Sequence, residues 1–183
     1  MSAGFPAPVA IQTRQLLLRR YTREDAKEIF DTYAQDSEVT RFLTWPPHQR
    51  IDDTLLFLER CERVWADGSA FSWVIVSRET GAILGSIELR VDGHRAEFGY
   101  ALARAAWGRG FATEAARAVV ATAFAVPAIQ RVWAYVDVEN VPSARVLEKA
   151  GLTREGRLRK WYVPSGFGVP RDVWCYARVK ETA

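Results

Sequence analysis

The sequence predicts a single mixed α/β domain of the α+β kind, in which helices cover a mostly antiparallel sheet of about seven strands. Three observations carry that expectation. The chain has 183 residues, 49% of them hydrophobic, which suits one core. Its apolar pattern runs nearly to the end without an internal repeat, low-complexity tract or long linker. Three strand-like runs follow one another directly through glycine turns, so that part of the sheet is antiparallel.

The domain takes in 1–183, with 1–12 expected to be a flexible N-terminal segment. Leu16, Leu17 and Leu18 between basic residues read as a first strand. Thr22-Arg23-Glu24-Asp25 resembles a capping box with aspartate in the Glu/Gln place, and it opens a helix to about Tyr33. Ile51, Leu55, Leu58, Glu62 and Trp65 give a second helix its period. Thr44-Trp45-Pro46-Pro47 between them is not helix interior, because two prolines remove donors and fix φ. Strands follow over Phe71 to Ser77, Ile83 to Val91 and Arg95 to Ala103, turning at Gly81 and at Asp92-Gly93. In the third of these, Ala96, Phe98, Tyr100 and Leu102 share one face. Arg95, Glu97, Gly99 and Ala101 share the other, which is small and polar. A helix over Arg109 to Phe124 precedes a strand with Val132, Ala134, Val136 and Val138 on one side. A helix over Ser143 to Ala150 stops at Gly151, and two strands, Thr153 to Val163 and Val169 to Arg178, flank a Pro/Gly turn.

Composition narrows the function. With 25 Lys+Arg against 22 Asp+Glu the net charge is +3, too mild to argue for nucleic acid. Cys61, Cys175, His48 and His94 lack ligand spacing, so neither a metal site nor a disulfide framework is expected. The longest apolar candidate, Ala115 to Pro127, is broken by Arg117 and falls short of the roughly 20 residues of a membrane span. The N-terminal arginines follow the apolar residues, the reverse of a secretory signal, which makes the cytoplasm the default.

The most informative segment is Trp107-Gly108-Arg109-Gly110-Phe111-Ala112-Thr113, after a strand and at the start of a helix. Glycines allow close backbone approach, and free NH groups at a helix start attract an anion such as a phosphate. A tight turn can also use both glycines for geometry alone. A dinucleotide site would need a third glycine where Thr113 stands, a parallel βαβ unit and an acidic residue later, for which Asp137 and Glu139 are available. The antiparallel hairpin before the loop and the short remaining chain do not fit it.

Glu97-Phe98-Gly99-Tyr100-Ala101-Leu102 followed by Trp107 to Ala115 resembles the acetyl-CoA motif of the GNAT N-acetyltransferase superfamily, and more narrowly its RimJ/RimL-like branch. Asn140-Val141-Pro142-Ser143-Ala144-Arg145-Val146-Leu147-Glu148-Lys149-Ala150-Gly151-Leu152 is similar to a second segment of that branch. Arg157, Tyr162, Gly166, Asp172 and Tyr176 extend the resemblance over nearly the whole chain. The resemblance implies a GNAT fold with helices on both faces of the sheet. It also implies a strand that splays from its parallel neighbour, and acetyl-CoA with its pantetheine arm in the gap.

Cofactor-binding positions carried over are the backbone of Tyr100, Ala101 and Leu102, the loop residue Trp107, and the NH groups of Gly108, Arg109, Gly110, Phe111, Ala112 and Thr113. Asn140 would hold the arm through its amide. Ser143 would face the thioester sulfur as general acid, or else cap its helix. Gly99 would mark a bulge or a close backbone approach where pairing opens. Ala105 stands where the superfamily has Gln or Arg, and Arg104 where the branch has proline, so Arg104 or Arg109 is expected to supply the missing charge.

Transfer to an amine needs a base. Glu97 is the first candidate and Glu88 the second, with a plain ion pair to Arg95 or Arg90 as the other reading. Trp161 stands where some relatives carry a carboxylate. Neither cysteine lies in a motif, in keeping with direct transfer. Trp45-Pro46-Pro47 and the Tyr162 to Gly168 turn are expected to wall the acceptor pocket, with Trp45, Glu88, Trp161 and Tyr162 as substrate-binding candidates and core packing the alternative for Trp45. The implied acceptor is a protein N-terminal amine, such as that of a ribosomal protein. A small amine and a non-catalytic acyl-CoA sensor are the alternatives, and a homodimer is compatible with all three.

Overall fold

The computed structural model describes residues 5–181. Its sheet has eight strands in the order β1-β2-β3-β4-β5-β6-β8-β7. These are β1 (Ala10–Gln12), β2 (Leu16–Arg19), β3 (Phe71–Ser77), β4 (Ile83–Asp92), β5 (Arg95–Leu102), β6 (Arg131–Asp137), β7 (Thr153–Tyr162) and β8 (Arg171–Val179). The helices are α1 (Asp25–Ile29), which widens into a π-helical stretch over Phe30–Ala34, α2 (Ser37–Thr40), α3 (Ile51–Asp67), α4 (Phe111–Phe124) and α5 (Val141–Lys149). Among the described residues no helix is long and apolar enough to cross a membrane.

The eighth strand corrects the sequence reading at the N-terminus. Ala10 to Gln12, inside the segment expected to be flexible, pair antiparallel with Leu17 to Arg19. Residues 1–4 lie outside the described residues. The segment is held because Trp73 is wholly enclosed and its indole NH needs an acceptor, which the Pro8 carbonyl supplies at 3.0 Å. Phe5 then packs on Phe71 with ring centroids 5.3 Å apart. Two prolines and a three-residue strand leave no period-two signal to read.

The half capping box at Thr22 is real but has an extra partner. The Asp25 carboxylate accepts from the Thr22 NH at 2.8 Å and is gripped by Arg19 at 2.7 Å through both oxygens. β3 is buried along its whole length, as a central strand covered on both faces must be. The β4–β5 hairpin turns on Gly93-His94, one residue later than expected, with Gly93 at φ 59° and Asp92 opposite Arg95.

Helices cover both faces. Phe111, Ala115, Val119 and Val120 of α4 and Leu147 of α5 pack with Phe98, Leu102, Val132 and Val136. Ala26 and Ile29 of α1 and Leu58 of α3 pack on the other side with Val74, Val76 and Ala101. β5 therefore sends Ala96, Phe98 and Leu102 to the α4–α5 layer and Ala101 to the α1–α3 layer, as its alternation requires.

The close approach expected at Gly99 occurs instead at Gly85. A Cβ at Gly85 would lie 2.2 Å from the Ala101 carbonyl oxygen, so only glycine fits there. A Cβ at Gly99 would meet nothing within 4 Å, and β4 and β5 pair without a register shift. The small residue at 99 keeps space open rather than making a bulge.

Candidate active site

All sheet pairs are antiparallel except β5 with β6, which pair in parallel only through Arg95 with Arg131, Ala96 with Val132 and Glu97 with Trp133. Beyond Glu97 the strands diverge, leaving backbone groups on the facing edge of β5 without a strand partner. The gap belongs to a cavity of about 1100 Å³, running from the α4 N-terminus past Tyr100 and Ser143 to Glu97, Glu88 and Trp45.

At the α4 end, Gly108 and Gly110 have φ 74° and 84°. The first intrahelical bond from the loop is Glu114 NH to the Gly110 carbonyl at 3.0 Å, and no side chain caps the helix. The NH groups of Phe111, Ala112 and Thr113 therefore remain for a ligand, and the dipole favours an anion. These residues fit the diphosphate of an acyl-CoA. The Trp107 indole donates to the Leu102 carbonyl at 2.8 Å, pinning the loop to the end of β5 and occupying one of the backbone groups expected to meet the pantetheine arm. Arg104 is drawn to Asp36 at 2.8 Å. Arg109 lies with its guanidinium 4.8 Å from the Phe111 ring centroid, outside the cavity wall. Sequence reasoning missed Arg145 and Lys149, which line the cavity; their i, i+4 spacing on α5 was the available signal.

At the α5 start, Asn140 rather than Ser143 is the helix cap. Its carboxamide oxygen accepts from the Ser143 NH at 3.3 Å, and Pro142 follows in the first turn. The NH2 of Asn140 is then the part of that amide open to a ligand. The Ser143 hydroxyl lies 2.8 Å from the Tyr100 hydroxyl. Burial raises the Tyr100 phenol to about 12, against the lowering effect of that hydrogen bond.

The opposite face of the sheet carries two carboxylates, Glu97 of β5 and Glu88 of β4. Burial raises the Glu97 carboxyl above its ordinary range; Arg90, 3.8 Å away, opposes this and Glu88 adds to it. Arg95, the other partner considered, pairs with Asp92 instead. Glu88 is tethered by the Ser72 hydroxyl at 2.6 Å, by Arg90 and, more distantly, by Arg60 at 3.9 Å. That leaves Glu97 the carboxylate less committed to protein partners.

Of the two segments expected to wall the acceptor pocket, Trp45 and Tyr162 line the cavity, and the turn after Tyr162 meets residues 40–43, just before Trp45-Pro46-Pro47. The Ser165 NH donates to the Leu43 carbonyl at 2.8 Å, the Ser165 hydroxyl to the Thr40 carbonyl at 3.1 Å, and Gly166 abuts the Arg41 backbone so closely that a Cβ would lie 2.6 Å from its oxygen. Trp45 lines the cavity and also packs with His48 and Phe57. Tyr162 lines the cavity, with its hydroxyl on Asp137 at 3.3 Å and the Phe42 carbonyl at 3.4 Å. Trp161 is half exposed, edge-on to Tyr135, and lies outside the lining. Asp137 and Glu139, the acids a dinucleotide would have needed, both bind Arg171.

Comparison with known proteins agrees with this geometry. Residues 15–153 match the acetyltransferase (GNAT) domain family. The chain is 31% identical to the uncharacterized N-acetyltransferase YoaA of Bacillus subtilis (strain 168) over 173 residues, covering 93% of this chain and 96% of that one. The fold is similar to that of the microcin C7 self-immunity acetyltransferase MccE, solved with acetyl-CoA and AMP, at TM-score 0.86 and 22% identity over 96% of this chain and 99% of that one. It is also similar to RimL, a ribosomal L7/L12 alpha-N-protein acetyltransferase solved with coenzyme A, at TM-score 0.81 and 20% identity over 94% and 96%. The chain is a member of the GNAT acetyltransferase family, enzymes that take their acetyl group from acetyl-CoA.

Proposed function

We propose that this N-acetyltransferase moves the acetyl group directly to a primary amine, and that the amine is the N-terminal α-amine of a protein. The observation that carries direct transfer is the division of labour across β5: hydroxyls of Tyr100 and Ser143 on the α5 side of the gap, and the Glu97 carboxyl on the other. An amine attacks only when uncharged, and Glu97, less tied to protein partners than Glu88, takes its proton directly or through water. A free NH of the Tyr100 to Leu102 stretch polarises the carbonyl, and Ser143 meets the sulfur. Cys61 and Cys175 lie outside the cavity lining, in keeping with transfer without a covalent enzyme intermediate. The protein acceptor follows the activity of RimL, a ribosomal L7/L12 alpha-N-protein acetyltransferase of similar fold, and a cytoplasmic setting goes with it. A small-amine acceptor is favoured by a different observation, the tie between Ser165 and residues 40–43, which holds the segment whose Phe42, Leu43 and Trp45 line the cavity.

Thiol release from acetyl-CoA with peptides beginning Ala, Ser or Met, beside a panel of small amines, decides between them. Release with the peptides is the expected result. Release with small amines alone selects the second reading, and acetyl-CoA binding without release on the whole panel identifies a sensor.

For the phosphate end, Arg109→Ala and Lys149→Ala are each expected to raise the acetyl-CoA Kd about threefold and flatten its salt dependence, as loss of a partly screened charge does. Arg104→Ala, already neutralised by Asp36, leaves both unchanged. Unaltered Kd and salt slope in the first two variants would show that backbone NH groups hold the phosphates alone.

A further inference from the structure

Tyr100 projects from β5 into the α4–α5 layer, where it packs beside the core, while Ser143 stands in the first turn of α5 and lines the gap. Their hydroxyl oxygens are 2.8 Å apart, and distance alone does not say which donates. Two facts argue for Tyr100 as the donor. Ser143 is the phenol's one hydrogen-bond partner among the described residues, so the phenol proton has that single protein acceptor. A phenol is also a much stronger acid than an aliphatic alcohol, which makes it the better donor of the two. A serine hydroxyl has one hydrogen and two lone pairs. With a lone pair taken by Tyr100, the serine's own hydrogen is left for a ligand in the cavity that Ser143 lines.

We infer that Tyr100 is a positioning residue: it donates to Ser143 Oγ and thereby turns the serine's own hydrogen toward the sulfur that leaves. The inference rests on the reading of Ser143 as the sulfur-facing hydroxyl. It also sharpens what the pair does. A cysteine thiol titrates near 8.5 and an ordinary phenol near 10, and burial holds the Tyr100 phenol higher still, near 12, so the departing thiolate is too weak a base to strip the phenol. The C–N bond forms and the C–S bond breaks, its electron pair leaving on sulfur. The amine's proton passes to Glu97 and on to solvent. Ser143, held by Tyr100, stabilises the thiolate by a hydrogen bond without giving up its proton, and the departing thiolate takes its proton from solvent. A donor aimed at developing charge accelerates the step in this way, as in an oxyanion hole.

The test is a double-mutant cycle in the intact enzyme under saturating acetyl-CoA, read as kcat from thiol release with whichever acceptor turns over, together with acetyl-CoA Kd by calorimetry. Tyr100→Phe is expected to lower kcat about tenfold, a hydrogen bond's worth, with KM and Kd for acetyl-CoA within about twofold. Ser143→Ala lowers kcat by at least as much, and Y100F/S143A matches S143A, because Tyr100 acts only through the serine. Ser143→Thr, which keeps the hydroxyl, restores sensitivity to Y100F. If S143A loses activity while Y100F keeps it, or if the two losses multiply, the positioning role is wrong and the Ser143 reading stands. If S143A retains wild-type kcat, the Ser143 reading falls and Tyr100 with it. A merely structural Tyr100 would show as raised Kd and KM at unchanged kcat.

Discussion

Glu97→Gln is expected to lower kcat/KM for the amine acceptor about a hundredfold or more at neutral pH and to remove the acid limb of the pH profile. Glu97 is set apart by its surroundings. It is three-quarters enclosed, with Arg90 3.8 Å away as its ion-pair partner, while Glu88 on the neighbouring strand has Ser72, Arg90 and Arg60. Burial raises the Glu97 carboxyl, Arg90 draws it back and Glu88 pushes it up again. Tyr135, whose phenol is raised by burial and further by Glu97, is the titratable group facing it on β6. A base works only when ionised, so activity is full above the raised pKa and falls as pH falls through it. The limb lies above the ordinary glutamate range near 4.3. Removing the cation in Arg90→Gln moves that limb to higher pH. The same shift has a consequence for stability with a definite sign. A carboxyl whose folded pKa exceeds its unfolded one costs stability once pH has risen through that interval, so E97Q gains Tm at neutral pH while losing activity. Wild-type kcat/KM with an intact acid limb in E97Q would place the base elsewhere.

Which parts of this site the sequence discloses depends on what a one-dimensional pattern can encode. Period-two alternation locates β3, β4 and β5 within a residue or two and assigns Glu97 and Tyr100 to opposite faces, because alternation is itself a statement about faces. The Gly-Arg-Gly run places the start of α4, since positive φ and free NH groups are local properties. Distances between remote residues are not local. Gly99 and Gly85 are alike as letters, and only the packing of β4 on β5 shows that Gly85 is the one a side chain would wreck. Arg95 and Arg90 are equal candidates to pair with Glu97 until the register of the hairpin sends Arg95 to Asp92. The Tyr100–Ser143 contact joins positions 43 residues apart, and nothing in either motif alone announces it. β1 escapes for the converse reason: it is too short to show a period and is held by a buried tryptophan's need for an acceptor.

Arg171→Ala is expected to destabilise the fold by about 3–5 kcal/mol, the usual cost of stripping one partner from a buried ion pair, or roughly 10 °C in Tm for a domain of this size. The Asp137 side chain is wholly enclosed at the end of β6. It receives both arms of Arg171 at 2.8 and 2.9 Å, the Glu139 NH at 2.9 Å and the Tyr162 hydroxyl at 3.3 Å. Burial alone would raise its carboxyl, but these donors together hold it below the ordinary value. In the wild type its contribution is therefore present above the unfolded value near 3.9 and is lost as pH falls through the lower folded one. Without Arg171 the burial is far less opposed, the folded pKa moves above the unfolded one, and the sign reverses: ionised Asp137 then costs stability. The Tm deficit of R171A should accordingly be greatest at neutral pH and narrow toward pH 4, and Asp137→Asn, which removes the charge but keeps the shape, should cost less. A deficit that is small, or independent of pH, would show that the pair does not anchor this end of the sheet. Arg171 also lies 4.1 Å from the Phe167 ring centroid, in the turn whose Ser165 and Gly166 meet the Leu43 and Arg41 backbone. Loosening it thus frees the wall around Tyr162 rather than the α4 phosphate end, so partial-activity R171A should show a raised KM for the acceptor with acetyl-CoA Kd little changed.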